Sequence, residues 1–450
     1  MDRQLDASVA GDAIEASPRQ AWCSLAILYV LAIASFLDRQ IISLLVDPIK
    51  RDLHLTDTEF SLAQGLAFAI TFCAFAIPLG YAADRFSRRS VLSIGVSIWS
   101  LGCAGCGLAA GATSLVVSRM LLGSGEAALT PAALSLIGDN FRRRGLGVAL
   151  GIYGSSAYVG FGASMLLGGT IIAFLTGQGE LYLPIIGHLA PWRATFLIVA
   201  MAGIPCALLA WAIFDPRTTA AGGAAQSLPM GIDELWRETW PALLPYLAGI
   251  GALSGAFSAV ASWTPAFLIR SFSLGPAEIG AWLGFALGVM AAAGSILAGV
   301  IIERLLKSQI VDAAFRVAMG SAILAAPILV LAHLADTPRI SLLLICAGLG
   351  VFGGVAGASY GSIQAIAPAS ARGKVAALSM LSSGVIGGGL APVAVALVTD
   401  YVFGNEAEVG NSIALVTGVL CLIGICCFWT GLAPLRHLTE RRAAGLSPVN

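Results

Sequence analysis

The sequence predicts an all-α membrane protein of about twelve transmembrane helices, built as two pseudo-symmetric six-helix bundles. Three observations carry this. Hydrophobic residues make up 58% of the 450 positions and charged ones only 11%, whereas soluble domains carry about 25% charge. Apolar windows long enough to cross a bilayer, roughly twenty residues each, recur about a dozen times. One long polar stretch divides them into two sets of six. Lys+Arg and Asp+Glu both total 25, so the chain lacks the basic surface that a nucleic-acid partner requires. Nine cysteines, an odd number without repeated spacing, give no disulfide framework.

Taken in order, residues 1–20 form a tail whose Asp2, Asp6, Asp12 and Glu15 suit neither a signal nor a transit peptide. The first bundle covers 21–214. Helix 1 (21–46) contains Asp38-Arg39, and helix 2 (60–82) contains Gln64. Helix 3 (90–112) holds Cys103-x-x-Cys106, which reads as packing because no second pair or His accompanies it. Helix 4 (114–138) carries Arg119, Glu126 and Pro131. Helix 5 (145–175) is glycine-rich and carries Tyr153 and Tyr158; helix 6 (194–214) contains Pro205. The linker, 215–240, has an Ala/Gly-rich piece (Thr218–Ala225) and an amphipathic piece (Ile232–Arg237).

The second bundle covers 241–433. Helix 7 (241–269) bears Phe257, Trp263, Pro265 and Phe267; helix 8 (278–302) bears Trp282 and Phe285. Helix 9 (312–333) has Arg316 at one end, expected to snorkel, and His333 at the other, expected to be interfacial. Helix 10 (340–366) holds Phe352 and Gln364. Helix 11 (374–399) has Gly384, Gly387, Gly388, Gly389 and Pro392. Helix 12 (412–433) precedes a tail, 434–450. The 53 glycines, about 12% against a usual 7%, let helix backbones approach closely.

Lys and Arg favour the loops on the side of the termini by more than three to one. Positive loops stay cytoplasmic, so both termini are expected inside, in the cell (inner) membrane.

An internal repeat follows. After helix 2 the chain reads Gly80-Tyr-Ala-Ala-Asp84-Arg85-Phe-Ser-Arg88-Arg89, and after helix 8 it reads Gly299-Val-Ile-Ile-Glu303-Arg304. Arg144-Gly145 and Arg372-Gly373 echo each other after helices 4 and 10. Parallel six-helix repeats are a transporter architecture. The glycine permits close helix contact, and the acid is expected to cap or pair with arginines and hold the halves together on the cytoplasmic side.

Gly80–Arg89 and the 6+6 plan resemble the major facilitator superfamily. Asp38-Arg39 together with Arg119…Gly123-Ser-Gly125-Glu126-Ala resembles the Spinster group of lysolipid and sphingolipid transporters, best over roughly 36–145. The resemblance implies alternating access, with helices 1, 4, 7 and 10 lining a central cavity. Gly160-Phe-Gly162-Ala lacks the proline of the antiporter signature in helix 5, so it gives no support to export by exchange.

The well-embedded charges are Asp38, Arg39, Arg119 and Glu126. Each costs at least about 2.5–3.5 kcal/mol at mid-bilayer, so they are expected to face inward and pair. At about 1.5 Å per residue, Asp38 falls between Arg119 and Glu126 in depth, and these two share one helix face. A carboxyl group in such a site changes proton affinity as water or an arginine approaches. Asp38 and Glu126 are therefore the candidate proton carriers, with Arg39 and Arg119 as charge partners or contacts for a substrate head group. Gln64, Tyr153, Tyr158 and Gln364 are candidates either for cavity lining or for interhelical bonds; Phe257 and Trp263 are candidates for lining or packing.

Helices 7 and 10 carry no charge over 241–269 and 340–366. Ions in one half and an apolar wall in the other suit an amphipathic substrate, by resemblance a lysophospholipid or sphingoid lipid. A small organic anion, sugar acid or drug is the alternative. No nucleophile–base pair, metal cluster or P-loop stands out, so the expectation is a proton-driven, monomeric transporter, not an enzyme, with no cofactor.

Overall fold

The structure, a computed structural model, describes residues 17–141, 145–179, 181–183, 187–216, 232–367 and 371–443. Twelve helices in it are long and apolar enough to cross a membrane. In the first half they are α1 (Pro18–Leu44), α2 (Asp57–Arg85), α3 (Arg88–Gly107), α4 (Ala112–Asn140), α5 (Leu146–Gln178) and α6 (Pro191–Trp211). In the second they are α7 (Thr239–Phe272), α8 (Pro276–Lys307), α9 (Ala313–His333), α10 (Pro338–Ile366), α11 (Arg372–Phe403) and α12 (Glu406–Arg442). Successive helices alternate in direction, so the start of α1 and the end of α12 lie on one face, the terminus face. A small antiparallel hairpin, β1 (Leu181–Leu183) with β2 (Gly187–Leu189), joins α5 to α6 on the far face.

Local chemistry sets where the helices begin. Ser17 and Gln20 form a reciprocal cap with Pro18 in the first turn, which starts α1 three residues before the apolar run. Thr56 and Glu59 do the same for α2. Pro191, Pro276 and Pro338 open α6, α8 and α10, where a missing N–H costs nothing. The helix leading into α7 starts at Ile232, so the amphipathic piece of the linker is helical and continuous with it. The last helix runs to Ala443, well past the predicted 433. The first tail through position 16, Arg142–Arg144 and Thr218–Ala225 lie outside the described residues, and with them the echo at Arg144.

The two halves share a lock at the terminus face with its charges exchanged. Arg88, at the start of α3, donates from Nε (3.1 Å) and Nη2 (2.5 Å) to Asp215 Oδ1, just after α6. In the second half Asp312, just before α9, accepts from Arg436 of α12 at 2.6 Å. The pseudo-repeat is thus visible in packing where the residue types differ. Asp312 also holds Arg316 at 2.8 Å, one turn along α9.

The halves meet along two glycine seams. Gly162 of α5 faces Gly284 and Gly288 of α8, and a Cβ on Gly280 would lie 2.3 Å from the Met165 carbonyl oxygen. Gly65 of α2 faces Gly388 and Gly389 of α11 at similar range. Both α2 (Leu62–Ala67) and α11 (Ser383–Leu390) are wound as π-turns at that contact, and α8 has one at Ala286–Met290. Such turns interrupt the regular ladder and mark functional places in helices.

Toward the terminus face both seams part. On the α5 face that carries Tyr158 and Gly162, Gly151 and Gly154 have nothing within 4 Å, and neither does Gly299 on α8. Ile77, one turn beyond the Cys73–Gly384 contact of α2 and α11, is 81% exposed. The stretch of α5 from Tyr158 back to its start at Leu146, along which the seam parts, is about 18 Å long.

Candidate functional site

At the head of that opening sits a charge cluster on α1 and α4. Arg39 donates from Nη2 (2.5 Å) and Nε (3.1 Å) to Glu126 Oε2, and Ser35 Oγ donates to the same oxygen at 2.9 Å. Ser35 and Arg39 are one helical turn apart, so α1 presents both to a single carboxylate. The Arg39 guanidinium also lies 5.3, 4.6 and 5.1 Å from the rings of Phe36, Phe68 and Phe72. A cation over aromatic faces gains about 0.5–2 kcal/mol per ring when partly desolvated. The side chain of Arg39 is 26% exposed, while that of Glu126 is fully buried.

Asp38 points elsewhere. It is buried, makes no ion pair among the described residues, and lies against Trp99 and Cys103 of α3. Consecutive residues on a helix project about 100° apart, so Arg39 at the opening places Asp38 toward α3. Arg119, 1% exposed, donates from Nη2 to the backbone carbonyl of Gln64 at 2.9 Å and lies 5.3 Å from the Phe68 ring. That carbonyl belongs to the π-turn of α2. Depth along the helices suggested Asp38 with Arg119; the bonded pair is Arg39 with Glu126.

From Arg39 a run of rings crosses into the second half. Phe36 meets Phe161 of α5 at 5.0 Å, Phe161 meets Phe257 of α7 at 5.6 Å, and Phe257 stacks on Phe352 of α10 at 6.3 Å. A Cβ at Gly160 would collide with Phe36, so that glycine gives the first ring its seat. Below the run, Ser254 of α7 donates to Ser383 of α11 at 3.1 Å, and the Tyr246 hydroxyl bridges Ser359 and Ser379 at 2.9 Å each. Tyr360 of α10 is 69% exposed and lies near Tyr158, which faces Ser295 of α8. Gln364, one turn further, is also exposed. Gln64 is buried instead, and Tyr153 faces Thr130 within its own half.

The far face is shut by ion pairs between the halves. Arg270, at the end of α7, donates from Nε (2.9 Å) and Nη2 (2.8 Å) to Asp47, and from Nη1 and Nη2 (2.8 Å each) to Asp57. Lys50 bonds Asp57 and reaches Glu406 of the second half at 2.8 Å. Thr58 donates from its backbone and hydroxyl to Asp400 at 2.8 and 2.6 Å. Trp263 is wholly buried in this closure: Nε1 donates to the Pro392 carbonyl at 2.9 Å and the ring meets Phe60 of α2 at 6.4 Å. It packs there and does not line the opening. His333 is likewise buried, not interfacial: Nδ1 donates to the Leu329 carbonyl at 2.8 Å, and Nε2 faces the Thr264 hydroxyl at 3.0 Å. The slot between α7 and α9 satisfies both ring nitrogens.

On the terminus face, the contacts of the loop motif seen among the described residues stay within its halves. Gly80 rests against Pro131 of α4 at 3.6 Å. Asp84 and Arg85 are exposed, with the Arg85 guanidinium 4.7 Å from the Tyr81 ring. Arg89 is half-buried beside the wholly buried Arg88, which also bonds Asp139 of α4 at 2.7 Å. Glu303 pairs with Lys307 on its own helix at 2.7 Å, and Arg304 is exposed. Neither Arg88 nor Glu303 bridges the halves, because the halves are apart at this face. Asp47, Lys50, Asp57, Arg270 and Glu406 look like loop charges in the sequence, and Tyr360 like one more aromatic residue, so none of them stood out there. A cluster of charged residues at the far ends of several spans was the available signal.

A sequence model of the Major Facilitator Superfamily matches residues 28–392. The chain is 25% identical over 431 residues to a Mycolicibacterium smegmatis protein named MFS-type efflux pump, covering 93% of this chain and 94% of that one. It is 27% identical over 266 residues to Protein spinster homolog 3 of Danio rerio, covering 57% of this chain and 49% of that one. Among solved structures it is similar to a bacterial homologue of the human lysosomal transporter Spinster in an inward-facing, unoccupied conformation. That likeness has a TM-score of 0.78 at 21% identity and covers 96% of this chain and all of the other.

Proposed function

The chain belongs to the Major Facilitator Superfamily, and on that premise we propose that it moves an amphipathic molecule of lysophospholipid or sphingoid type by proton-driven alternating access. One observation carries the choice of substrate. Arg39, the more exposed of the two cations embedded in the first half, heads an aromatic run that ends on α7 and α10, whose apolar windows carry no charge. A polar head seats at Arg39 and its hydrocarbon lies along Phe161, Phe257 and Phe352.

Coupling follows from competition for one guanidinium. Glu126 holds Arg39 while ionised; once protonated it loses the charge that holds it, and Arg39 turns to an anionic head group. Loss of the proton recaptures Arg39 and expels the head. Asp38 supplies or takes that proton from behind α1. The excess of Lys and Arg puts the terminus face in the cytoplasm, so the opening described above is the inward-facing one. The far-face ion pairs must break for the other to form, and the exposed Asp84, Arg85, Glu303 and Arg304 would then be brought together.

A second reading is favoured by Arg119, whose Nε and Nη1 make no hydrogen bond. Two spare donors suit a carboxylate, and relatives include proteins named Probable L-galactonate transporter and Hexuronate transporter. Its near-complete burial speaks against direct contact with any substrate in this state. Proteoliposome uptake over a panel of lysolipids and sugar acids, with and without a pH gradient, separates the readings. Accumulation of a sugar acid with no competition from lysolipids would remove the lipid reading.

A further inference from the structure

Six buried polar atoms of the first half neither donate nor accept a hydrogen bond: Asp38 Oδ1, Gln64 Oε1, Trp99 Nε1, Arg119 Nε and Nη1, and Glu126 Oε1. Buried polar groups almost always have partners, so a group of exceptions calls for an explanation. These six come from α1, α2, α3 and α4 and belong to one neighbourhood. The Asp38 carboxyl lies against Trp99 and Cys103, and within electrostatic reach of Arg119 and Glu126. Arg119 is tied to α2 at Gln64 and shares the field of Glu126, Arg39, Cys103 and Cys106. Cys106 of α3 and Cys206 of α6 complete the titratable groups around Asp38. The other unpartnered atoms include the hydroxyls of Ser61, Ser164, Ser341 and Thr417 and the amide oxygen of Asn140.

The atoms are complementary in kind. Trp99 Nε1 and the Arg119 nitrogens only donate, whereas the ionised carboxylates and the Gln64 oxygen only accept. None of the six makes a hydrogen bond of regular geometry to another, although the Trp99 indole stands within hydrogen-bonding reach of the Asp38 carboxyl. Arg119 disfavours a cation among them, and two carboxylates disfavour an anion. The fitting ligand is neutral, small, and able to donate and accept at once. Buried water has these properties and typically makes about three hydrogen bonds to such groups.

We infer that Asp38, Trp99, Arg119, Glu126 and Gln64 form a water-binding site, and that its water is the proton path between Asp38 and Glu126. The path, though not the site, rests on the proposed role of the two acids as proton carriers. In the step, the Asp38 O–H bond breaks as its proton passes to water, and water passes a proton to Glu126 Oε1. Asp38 gains the negative charge that Glu126 loses, water is regenerated, and the total charge is unchanged. The indole N–H of Trp99 has no acceptor capacity, so it favours Asp38 ionised over Asp38 protonated. Trp99 is a positioning residue for the proton.

The test is an infrared pH titration of the full chain in lipid nanodiscs, following the carboxyl band that Asp38→Asn removes. In Trp99→Phe the midpoint of that band should move to higher pH by about one unit, a tenfold gain in proton affinity. A density map that resolves ordered solvent should show water between Trp99 Nε1, Asp38 Oδ1 and Arg119 in the unmodified protein. An unmoved midpoint overturns the role of Trp99, and a dry contact in the map overturns the site. A band that never titrates sinks Asp38 as a carrier, and the solvent map still decides the site. Should Trp99→Phe fail to fold, the map of the unmodified protein alone upholds or overturns the site.

Discussion

Arg270→Gln should open the far face. Arg270 makes four charge-assisted hydrogen bonds of 2.8–2.9 Å to Asp47 and Asp57, and its side chain is only 8% exposed. Removing one partner from a buried ionic network costs roughly 3–5 kcal/mol, because the remaining charges are stranded. Lys50 stays on Asp57, and the glutamine keeps a donor, so the lower end applies. About 3 kcal/mol moves the equilibrium between closed and open far faces by roughly a hundredfold. Spin labels at Arg51, exposed on the short helix Val46–Leu53, and Arg339, in the first turn of α10, report that distance by electron–electron resonance in a background without native cysteines. The account predicts a new population at longer distance in Arg270→Gln. It predicts a smaller one in Arg270→Lys, which keeps the charge but loses the fork. An unchanged distribution in both would refute the idea that these pairs hold the far face shut.

Arg88→Met removes a wholly buried guanidinium from its bonds to Asp215 and Asp139. It should lower stability by about 3–5 kcal/mol, read as an earlier thermal transition in detergent; an unshifted transition contradicts the lock. Gly280→Val places a side chain where even a Cβ meets the Met165 carbonyl oxygen at 2.3 Å. The α5–α8 seam should then fail to close, and the far-face labels should separate without any change in charge; a normal short distance would show that the seam has slack. Phe257→Ala breaks the ring run at its middle. Affinity for a lysolipid should fall on the order of tenfold, with little effect on a sugar acid, as measured by binding to the purified protein.

The architecture was legible because membrane helices announce themselves by composition: apolar windows of about twenty residues cross a bilayer as helices, whose backbone groups are satisfied within the segment. The importance of Arg39, Arg119 and Glu126 was legible for a related reason, since charges inside such windows are costly and must have a use. Their partners were not. Rise per residue gives depth along a helix but not azimuth, so the place of Asp38 against Trp99 and Cys103 and the hold of Arg39 on Glu126 could not be read from it. Trp99 and Cys103 look like packing residues in sequence, and only their place against a carboxyl makes them more. The far-face network was hidden because Asp47, Lys50, Asp57, Arg270 and Glu406 are distant in the chain and resemble solvated loop charges. Helix 7 was expected to start at 241, yet the helix runs from Ile232 through Pro241 and Pro245, as a membrane helix packed among neighbours tolerates.

The claim beneath all of this is that one acid, Glu126, trades its hold on Arg39 for a proton while substrate binds. Proton movement into proteoliposomes, followed with a trapped pH-sensitive dye upon adding a lysolipid gradient, examines it directly. The account predicts a lysolipid-dependent flux in the unmodified protein that disappears in Glu126→Gln and Asp38→Asn, while Glu126→Gln still binds the lipid. Equal proton flux in all three proteins would contradict it.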